Sequence, residues 1–187
     1  MTSSKTLWWA AALAAAVACA APAGASTLVI GGGAAKDCAD AAIDGRSDNA
    51  SVTKCTLALE TEILGFRDRA RTYVNRGVMQ LRQRNYGGAV SDFDAASKID
   101  PNLGEAYVNR GAAYLASSRY GEGLTEIDQG LALGVKDPQK AYFNRGIAHE
   151  NLGDVTAAYR DYTKAAELDP DWEAPKNELT RFTVKRP

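Results

Sequence analysis

Few side chains in this chain could carry covalent chemistry. His149 is the only histidine, and the cysteines are Cys19, Cys38 and Cys55. No serine lies in a nucleophile-elbow context, and the sequence has no phosphate loop and no metal-ligand spacing. The carboxylates are scattered along the chain, whereas acid–base catalysis needs two groups that converge in one cleft. We therefore expect no enzyme, no metal and no cofactor, and we expect His149 to pack between helices.

Two of the cysteines are expected to form a disulfide. Cys38 and Cys55 are the pair that remains if an N-terminal signal segment is removed, and an exported protein favours their oxidation. The bond would close a loop of about 17 residues and would stabilise the fold by about 3 kcal/mol in the chain-entropy model. The alternative is two separate buried thiols.

Residues 1–25 have the layout of a secretory signal peptide. Lys5 supplies the positive charge, Leu7–Ala18 is an apolar run, and Ala23–Ala25 offers a cleavage site before Ser26. This pattern predicts an exported protein, located in the periplasm. Two alternatives remain: a buried or anchoring N-terminal helix, or lipidation at Cys19. We expect membrane contact only if Cys19 is lipidated.

The charge balance limits the class of partner. The formal net charge is −1, from 22 basic and 23 acidic side chains. There is no basic stripe that would attract nucleic acid, and no motif indicates a small-molecule substrate. We expect a protein or peptide partner.

A five-residue motif occurs three times in the middle of the chain. It reads Tyr-Val-Asn-Arg-Gly at 73–77 and 107–111, and Tyr-Phe-Asn-Arg-Gly at 142–146, so the glycines lie 34 and 35 residues apart. Each copy continues with a small, a large and a small residue at matching positions: Ala89, Phe93 and Ala96; Gly123, Ile127 and Gly130; Ala158, Tyr162 and Ala165. A period near 34 is typical of stacked helix–turn–helix repeats.

This pattern resembles the tetratricopeptide repeat (TPR) family over residues 69–172. The resemblance implies an all-α fold, an α-solenoid of stacked antiparallel helix pairs with a C-terminal capping helix. The implied organisation is a signal peptide (1–25), a disulfide-tied segment with a degenerate half-repeat (26–68), three repeats (69–102, 103–138 and 139–172) and a cap (173–187). We expect residues 26–35 to be a flexible lead-in, and the first helix of the half-repeat to be missing or much shortened.

The resemblance also implies that the first helix of each repeat lines a concave groove. The groove positions are Arg71, Val74, Asn75, Val78 and Arg82, then Glu105, Val108, Asn109 and Ala112, then Lys140, Phe143, Asn144, Ile147 and Asn151. The three asparagines form a ladder whose amides could pair with the backbone of a peptide, with apolar shelves between them. Alternatively, the asparagines bond to adjacent helices and set the packing. The family's clamp for a terminal carboxylate needs Lys or Arg, and its positions here are apolar.

An arginine follows each asparagine, and an acid stands at the matching place in each second helix. The pairs are Arg76 with Asp92, Arg110 with Glu126, and Arg145 with Asp161. We expect three structural ion pairs between packed helices; the alternative is a site for an anionic ligand.

Two functions from different classes fit these observations. The first is an exported, non-catalytic interaction module that binds a peptide or protein segment in the concave groove. The second is a self-associating structural subunit; lipidation at Cys19 would make the chain an envelope assembly factor.

Overall fold

The computed structural model describes residues 33–182, and every regular element in that range is a helix. The predicted signal peptide, the lead-in as far as residue 32 and Cys19 lie outside the described residues. The helices are α1 (Gly33–Ile43), α2 (Asn49–Thr61), α3 (Phe66–Arg82), α4 (Tyr86–Ile99), α5 (Gly104–Ala116), α6 (Tyr120–Leu133), α7 (Pro138–Asn151), α8 (Val155–Leu168) and α9 (Glu173–Leu179).

Consecutive helices pack as hairpins, and the hairpins stack in chain order. α1 packs on α2, α3 on α4, α5 on α6 and α7 on α8. The first helices also contact one another, α1 with α3, α3 with α5 and α5 with α7, so they form one layer of the stack. This confirms the predicted α-solenoid, and α9 packs on α8 as the predicted C-terminal cap.

The repeated glycines allow the two helices of each hairpin to approach closely. A Cβ added at Gly77 would lie 2.6 Å from Cε1 of Phe93, and one at Gly146 would lie 2.7 Å from Cε1 of Tyr162. Both aromatic rings are buried. The glycine of the motif and the large residue of the same repeat therefore meet across one hairpin.

The second hairpin uses additional glycines for a closer contact. A Cβ at Gly130 would lie 2.5 Å from Cγ2 of Val108 and 2.8 Å from the carbonyl oxygen of Gly104. Gly134 ends α6 with a φ of +86°, the left-handed region that glycine adopts readily. The backbone of α6 thus lies directly against α5 along much of its length.

The first hairpin corrects one expectation, because its first helix is regular. α1 has 11 residues, and its first backbone N–H groups donate to the Glu62 carboxylate, from Ala34 at 2.8 Å and from Ala35 at 3.2 Å. This helix leaves little trace in the sequence, because its buried face consists almost entirely of alanine and cysteine, which give little hydrophobic periodicity. The helix is instead held by its alanine contacts, by the Glu62 carboxylate and by the disulfide.

The predicted disulfide between Cys38 and Cys55 is present and buried. Its Cα atoms are 4.8 Å apart, and Sγ of Cys55 lies 3.7 Å from Sδ of Met79 on α3. The bond therefore joins α1 to α2 at the point where this hairpin contacts the next one.

No helix within residues 33–182 is long and apolar enough to cross a bilayer.

Candidate functional site

In each repeat, a partly exposed charged residue lies four positions before the asparagine of the motif, and we call these positions the rim. The rim residues are Arg71 on α3, Glu105 on α5 and Lys140 on α7. The side chains of Arg71 and Lys140 are 34% and 32% exposed. Their charges alternate along the stack, and each has a local contact: Arg71 lies 3.9 Å from Asp68, Lys140 lies 3.3 Å from Asp137, and Glu105 accepts from the backbone N–H of Lys136.

An asparagine lies one helical turn after each rim residue, on the same face of its helix. Asn75, Asn109 and Asn144 are all fully buried. Within residues 33–182, neither the amide nitrogen nor the amide oxygen of Asn75 or Asn144 has a hydrogen-bond partner. These two amides therefore do not set the helix packing through hydrogen bonds, which was the alternative left open by the sequence.

The predicted apolar positions of the groove are buried in the hydrophobic core. Val74, Val78, Val108, Ala112 and Phe143 are at most 1% exposed, and Ile147 is 8% exposed. Val108 packs against the second helix of its own hairpin at Gly130. The ring centroid of Phe143 lies 5.5 Å from that of Tyr162 and 4.9 Å from that of Trp172. Val108 and Phe143 therefore bury apolar surface against the second helices of their hairpins.

The last two predicted groove residues are Arg82 and Asn151. Both lie at the C-terminal ends of their helices and are exposed. Arg82 donates from Nη1 to the carbonyl oxygen of Ala42 at 3.4 Å, which links α3 to α1. Asn151 donates from Nδ2 to the carbonyl oxygen of Ile147 at 2.8 Å, so its amide nitrogen bonds within its own helix.

The three predicted arginine–carboxylate pairs are present. Arg76 holds both oxygens of Asp92, at 2.9 and 2.7 Å, and Arg145 holds both oxygens of Asp161, at 2.8 and 2.7 Å. Arg110 donates twice to one oxygen of Glu126, at 3.0 and 2.7 Å. Because every guanidinium has an acid within its own hairpin, these arginines serve the packing of the repeats.

Each of these arginines also reaches the preceding hairpin, a contact that the repeated motif does not predict. Nη1 of Arg76 donates to Oγ1 of Thr56 on α2 at 3.0 Å. Nη1 of Arg110 donates to Oγ of Ser97 on α4 at 2.9 Å, and Nη1 of Arg145 donates to Oδ1 of Asp128 on α6 at 2.8 Å. The sequence contains a sign of the contacts to aspartate: Asp94 and Asp128 are 34 residues apart, which is one repeat. Each of them contacts the arginine of the following hairpin, Arg110 and Arg145 respectively. The arginines therefore join neighbouring hairpins as well as the helices within one hairpin.

Burial changes the acid–base properties of two groups in this packing. It raises the pKa of Asp92, and the Arg76 guanidinium opposes that rise. Burial and the nearby Glu150 carboxylate raise the pKa of Tyr162, whose hydroxyl donates to Oε2 of Glu150 at 2.8 Å. Both groups lie in the interior of hairpins, so these shifts concern stability.

His149 lies between helices, as expected. Its Nε2 is 3.8 Å from Oδ2 of Asp161, and its side chain is mostly buried. Among the described residues, no group of three or more His, Cys, Asp or Glu side chains is placed to bind a metal ion.

The comparisons with known proteins agree with this architecture. The family model of the tetratricopeptide repeat matches residues 140–171, the third predicted repeat. The first TPR of Spaghetti (RPAP3), bound to HSP90 peptide SRMEEVD, is 25% identical with a TM-score of 0.58, over 62% of this chain and 90% of that one. The second TPR domain of human RPAP3, in complex with HSP70 peptide SGPTIEEVD, is 25% identical with a TM-score of 0.58, over 65% of this chain and 100% of that one.

A third solved structure shows the fold over a longer stretch. The MamA RS-1 double mutant covers 79% of this chain, with 82% of its own chain aligned, a TM-score of 0.61 and 21% identity. No curated protein sequence matches the chain significantly. The repeated motif, the stacked hairpins and the family-model match lead to one conclusion: residues 140–171 form a tetratricopeptide repeat, and the stack of hairpins around it has the fold of solved TPR domains.

Proposed function

We propose that this protein is a non-catalytic interaction module that binds a peptide segment of a partner protein along the layer of first helices. The segment would contact the rim residues Arg71, Glu105 and Lys140 and the asparagine ladder one turn below them. Tetratricopeptide repeats generally mediate protein–protein interaction, and two of the similar structures contain bound peptides.

The observation that carries this proposal is the pair of unpartnered amides on Asn75 and Asn144. A buried polar group without a hydrogen bond costs about 1–3 kcal/mol, so a polar side chain at such a place needs a reason. A peptide backbone supplies both an N–H donor and a C=O acceptor, which match the two ends of an asparagine amide. Because the amides are fully buried, the ligand must displace the side chains that cover them.

The mode of binding proposed here differs from capture of a chain end. The peptides in the two RPAP3 complexes end in Glu-Val-Asp. At the positions where the family's carboxylate clamp needs a cation, this chain has the buried apolar residues Val74, Val78, Val108, Ala112, Phe143 and Ile147. We therefore assign the ligand to an internal segment of its protein, recognised through its backbone.

The direct test is selection from a library of peptides that are acetylated at the N-terminus and amidated at the C-terminus. Selected peptides are then titrated against the wild-type protein and against the double variant Asn75→Ala with Asn144→Ala. We expect about tenfold weaker binding by the double variant. Asn177→Ala is the matched control, because that asparagine is exposed on α9, outside the layer of first helices.

Two results would contradict the proposal. One is a library that yields no binder although the protein is folded by circular dichroism. The other is equal affinity of the wild-type protein and the double variant, which would make the ladder irrelevant to binding.

We also propose that the protein is exported to the periplasm. The signal-like layout of residues 1–25 supports this, and so does the disulfide between Cys38 and Cys55, since such bonds persist in oxidising compartments. Intact mass of the protein purified from an envelope fraction tests it. Cleavage before Ser26 is expected, and a lipid adduct on Cys19 would instead make the protein membrane-anchored.

Self-association is a second candidate function, and one surface favours it. Leu152, Val155 and Tyr159 are apolar and 40–56% exposed at the C-terminal end of the stack, where α9 is too short to cover α8 fully. Sedimentation at increasing concentration distinguishes the candidates: a monomer throughout the micromolar range would rule out self-association as the primary function.

A further inference from the structure

We propose that residues 28–30, the Leu-Val-Ile sequence that precedes α1, fold back on their own chain and cover Ile63 and Phe66 at the start of α3. This contact would close the N-terminal end of the stack, as α9 closes the other end. The inference goes beyond the proposed function, because it concerns an interaction within the chain and involves neither the asparagines nor the rim. It follows from an exposed apolar surface, from the length of α3 and from the place where the chain enters α1.

The apolar surface lies at the connection between α2 and α3. Ile63 is fully exposed and Phe66 is 60% exposed, which makes them the most exposed large apolar side chains within residues 33–182. Leu64, which lies between them in the sequence, is buried in the apolar cluster of the first hairpin with Ala35 and Ala58. Single exposed apolar residues are common, whereas exposed apolar residues that lie together mark a contact surface. This connection therefore presents a surface for an apolar group.

α3 extends further toward its N-terminus than the other first helices of the repeats. It has 17 residues, whereas α5 has 13 and α7 has 14. All three helices end at the same distance after the glycine of the motif, so the additional length of α3 is about one extra turn at its start. Arg69 fixes this turn against α2, because its Nη1 donates to the carbonyl oxygen of Leu59 at 2.9 Å. Phe66 is therefore held in a turn that α5 and α7 lack.

The chain enters α1 beside this surface. The backbone N–H of Ala34, in the first turn of α1, donates to the carboxylate of Glu62 at 2.8 Å. Glu62 is the residue directly before Ile63. Ile30 precedes Ala34 by four residues, and four residues of extended chain span up to about 14 Å. The side chain of Ile30 can therefore reach Ile63 without any rearrangement of residues 33–182.

The sequence of the segment suits such a contact. Leu28, Val29 and Ile30 are large and apolar, and residues 26–32 contain no charged side chain. Their burial removes apolar surface from water and desolvates no charge. The glycines at positions 31 and 32 permit the chain to reverse its direction before α1. A tether this short gives the segment an effective concentration in the millimolar range at the surface, so it occupies the surface ahead of a second copy at micromolar concentration.

The test uses the full chain with the photoreactive residue p-benzoylphenylalanine in place of Phe66. Irradiation and peptide mapping should yield a cross-link from this position to residues 28–30 of the same chain. The photoreactive residue in place of Ile63 provides a second position should the first variant fail to fold, because Ile63 is fully exposed. In place of Val155, which is 56% exposed on α8, it is the matched control and should give no such cross-link.

Two further variants separate docking from proximity along the chain. Leu28→Ser with Ile30→Ser removes apolar surface from the segment and should lower the yield of the cross-link about tenfold. Thr27→Ser lies in the same stretch but leaves the three apolar residues intact, so the yield should not change.

Four results would overturn the inference. The first is an equal yield with and without Leu28→Ser and Ile30→Ser, which is the behaviour of a flexible lead-in. The second is a cross-link to residues 28–30 that occurs only in a covalent dimer on denaturing electrophoresis, which would make a second copy the occupant. The third is loss of the cross-link in favour of a lipid adduct when phosphatidylglycerol vesicles are added, which would make a membrane the occupant. The fourth is protein that is folded by circular dichroism and gives no cross-link to residues 28–30 from either position.

Discussion

Arg145 and Asp128 form the hydrogen bond that joins the third repeat to the second. Nη1 of Arg145 donates to Oδ1 of Asp128 at 2.8 Å, while its Nε and Nη2 hold Asp161 within its own hairpin. One side chain thus connects α7 to the second helices on both sides of it. The corresponding hydrogen bond between α3 and the preceding helix α2 has an uncharged acceptor, the hydroxyl of Thr56, to which Arg76 donates.

Removal of the two acids around Arg145 should have unequal effects. The side chain of Asp128 is 53% exposed and that of Asp161 only 7%. We expect Asp128→Ala to lower the free energy of unfolding by about 0.5 kcal/mol, less at high salt, because exposed pairs are screened. Asp161→Ala should cost about 2 kcal/mol, since it removes the buried partner of a half-buried charge. Urea unfolding at low and high salt measures both, and an equal loss from the two variants would contradict the assignment.

The glycines of α6 should respond oppositely to alanine. Gly130→Ala places a Cβ 2.5 Å from Val108 and 2.8 Å from a backbone carbonyl, so we expect destabilisation of about 1–3 kcal/mol by overpacking. Gly121 has no atom within 4 Å of an added Cβ. Gly121→Ala should therefore stabilise the helix by about 0.5–1 kcal/mol through its higher helix propensity. Thermal unfolding of both variants provides the comparison, and a stable Gly130→Ala protein would show that α5 and α6 are less close than described.

Stability should fall at alkaline pH because of Tyr162. Its pKa is raised above the ordinary value of 10.0 by burial and by Glu150, so the folded state retains the phenol proton more tightly than the unfolded state. The corresponding stability is fully present below about pH 10 and is lost as pH rises above that value. Tyr162→Phe should remove this loss.

The matched control for that experiment is Tyr159→Phe, since Tyr159 lies on the same helix and is 40% exposed. Urea unfolding between pH 8 and pH 11 should show that the stability of Tyr159→Phe falls with pH as steeply as that of the wild-type protein. If the wild-type protein and Tyr162→Phe decline identically, the phenol does not titrate with folding.

The first hairpin should depend on its disulfide more than on its side-chain packing. Its buried face contains mainly alanine, including Ala35, Ala39 and Ala58. Replacement of Cys38 and Cys55 by alanine should destabilise this hairpin by about 3 kcal/mol and uncover Met79, which the disulfide contacts. Hydrogen exchange should show faster exchange in α1 and α2 than in α3–α8, and peroxide should oxidise Met79 faster, with a mass increase that peptide mapping can locate. Unchanged oxidation of Met79 would indicate that α1 stays in place without the bond.

Much of the fold could be predicted from the sequence, because the repeat imposes its own constraints. Each arginine of the motif is paired with its predicted acid across the hairpin, and the glycines of the motif lie where the two helices approach closely. Such pairings are local within one hairpin, and three similar copies make the pattern visible. α1 escaped prediction because alanine and cysteine bury little apolar surface and show no clear period.

The candidate site was less predictable, because a helix in a stack has several neighbours that compete for each side chain. The sequence by itself determined that three hairpins stack, that Cys38 and Cys55 can bond, and that an asparagine recurs once per repeat. Only the tertiary structure decided that Val108 and Phe143 face the second helices and not the groove, and that the amides of Asn75 and Asn144 are buried without partners. The physical reason is that periodicity specifies which face of a helix is apolar, whereas the depth of a side chain depends on how closely its neighbours pack, and that distance appears only once the hairpins are assembled.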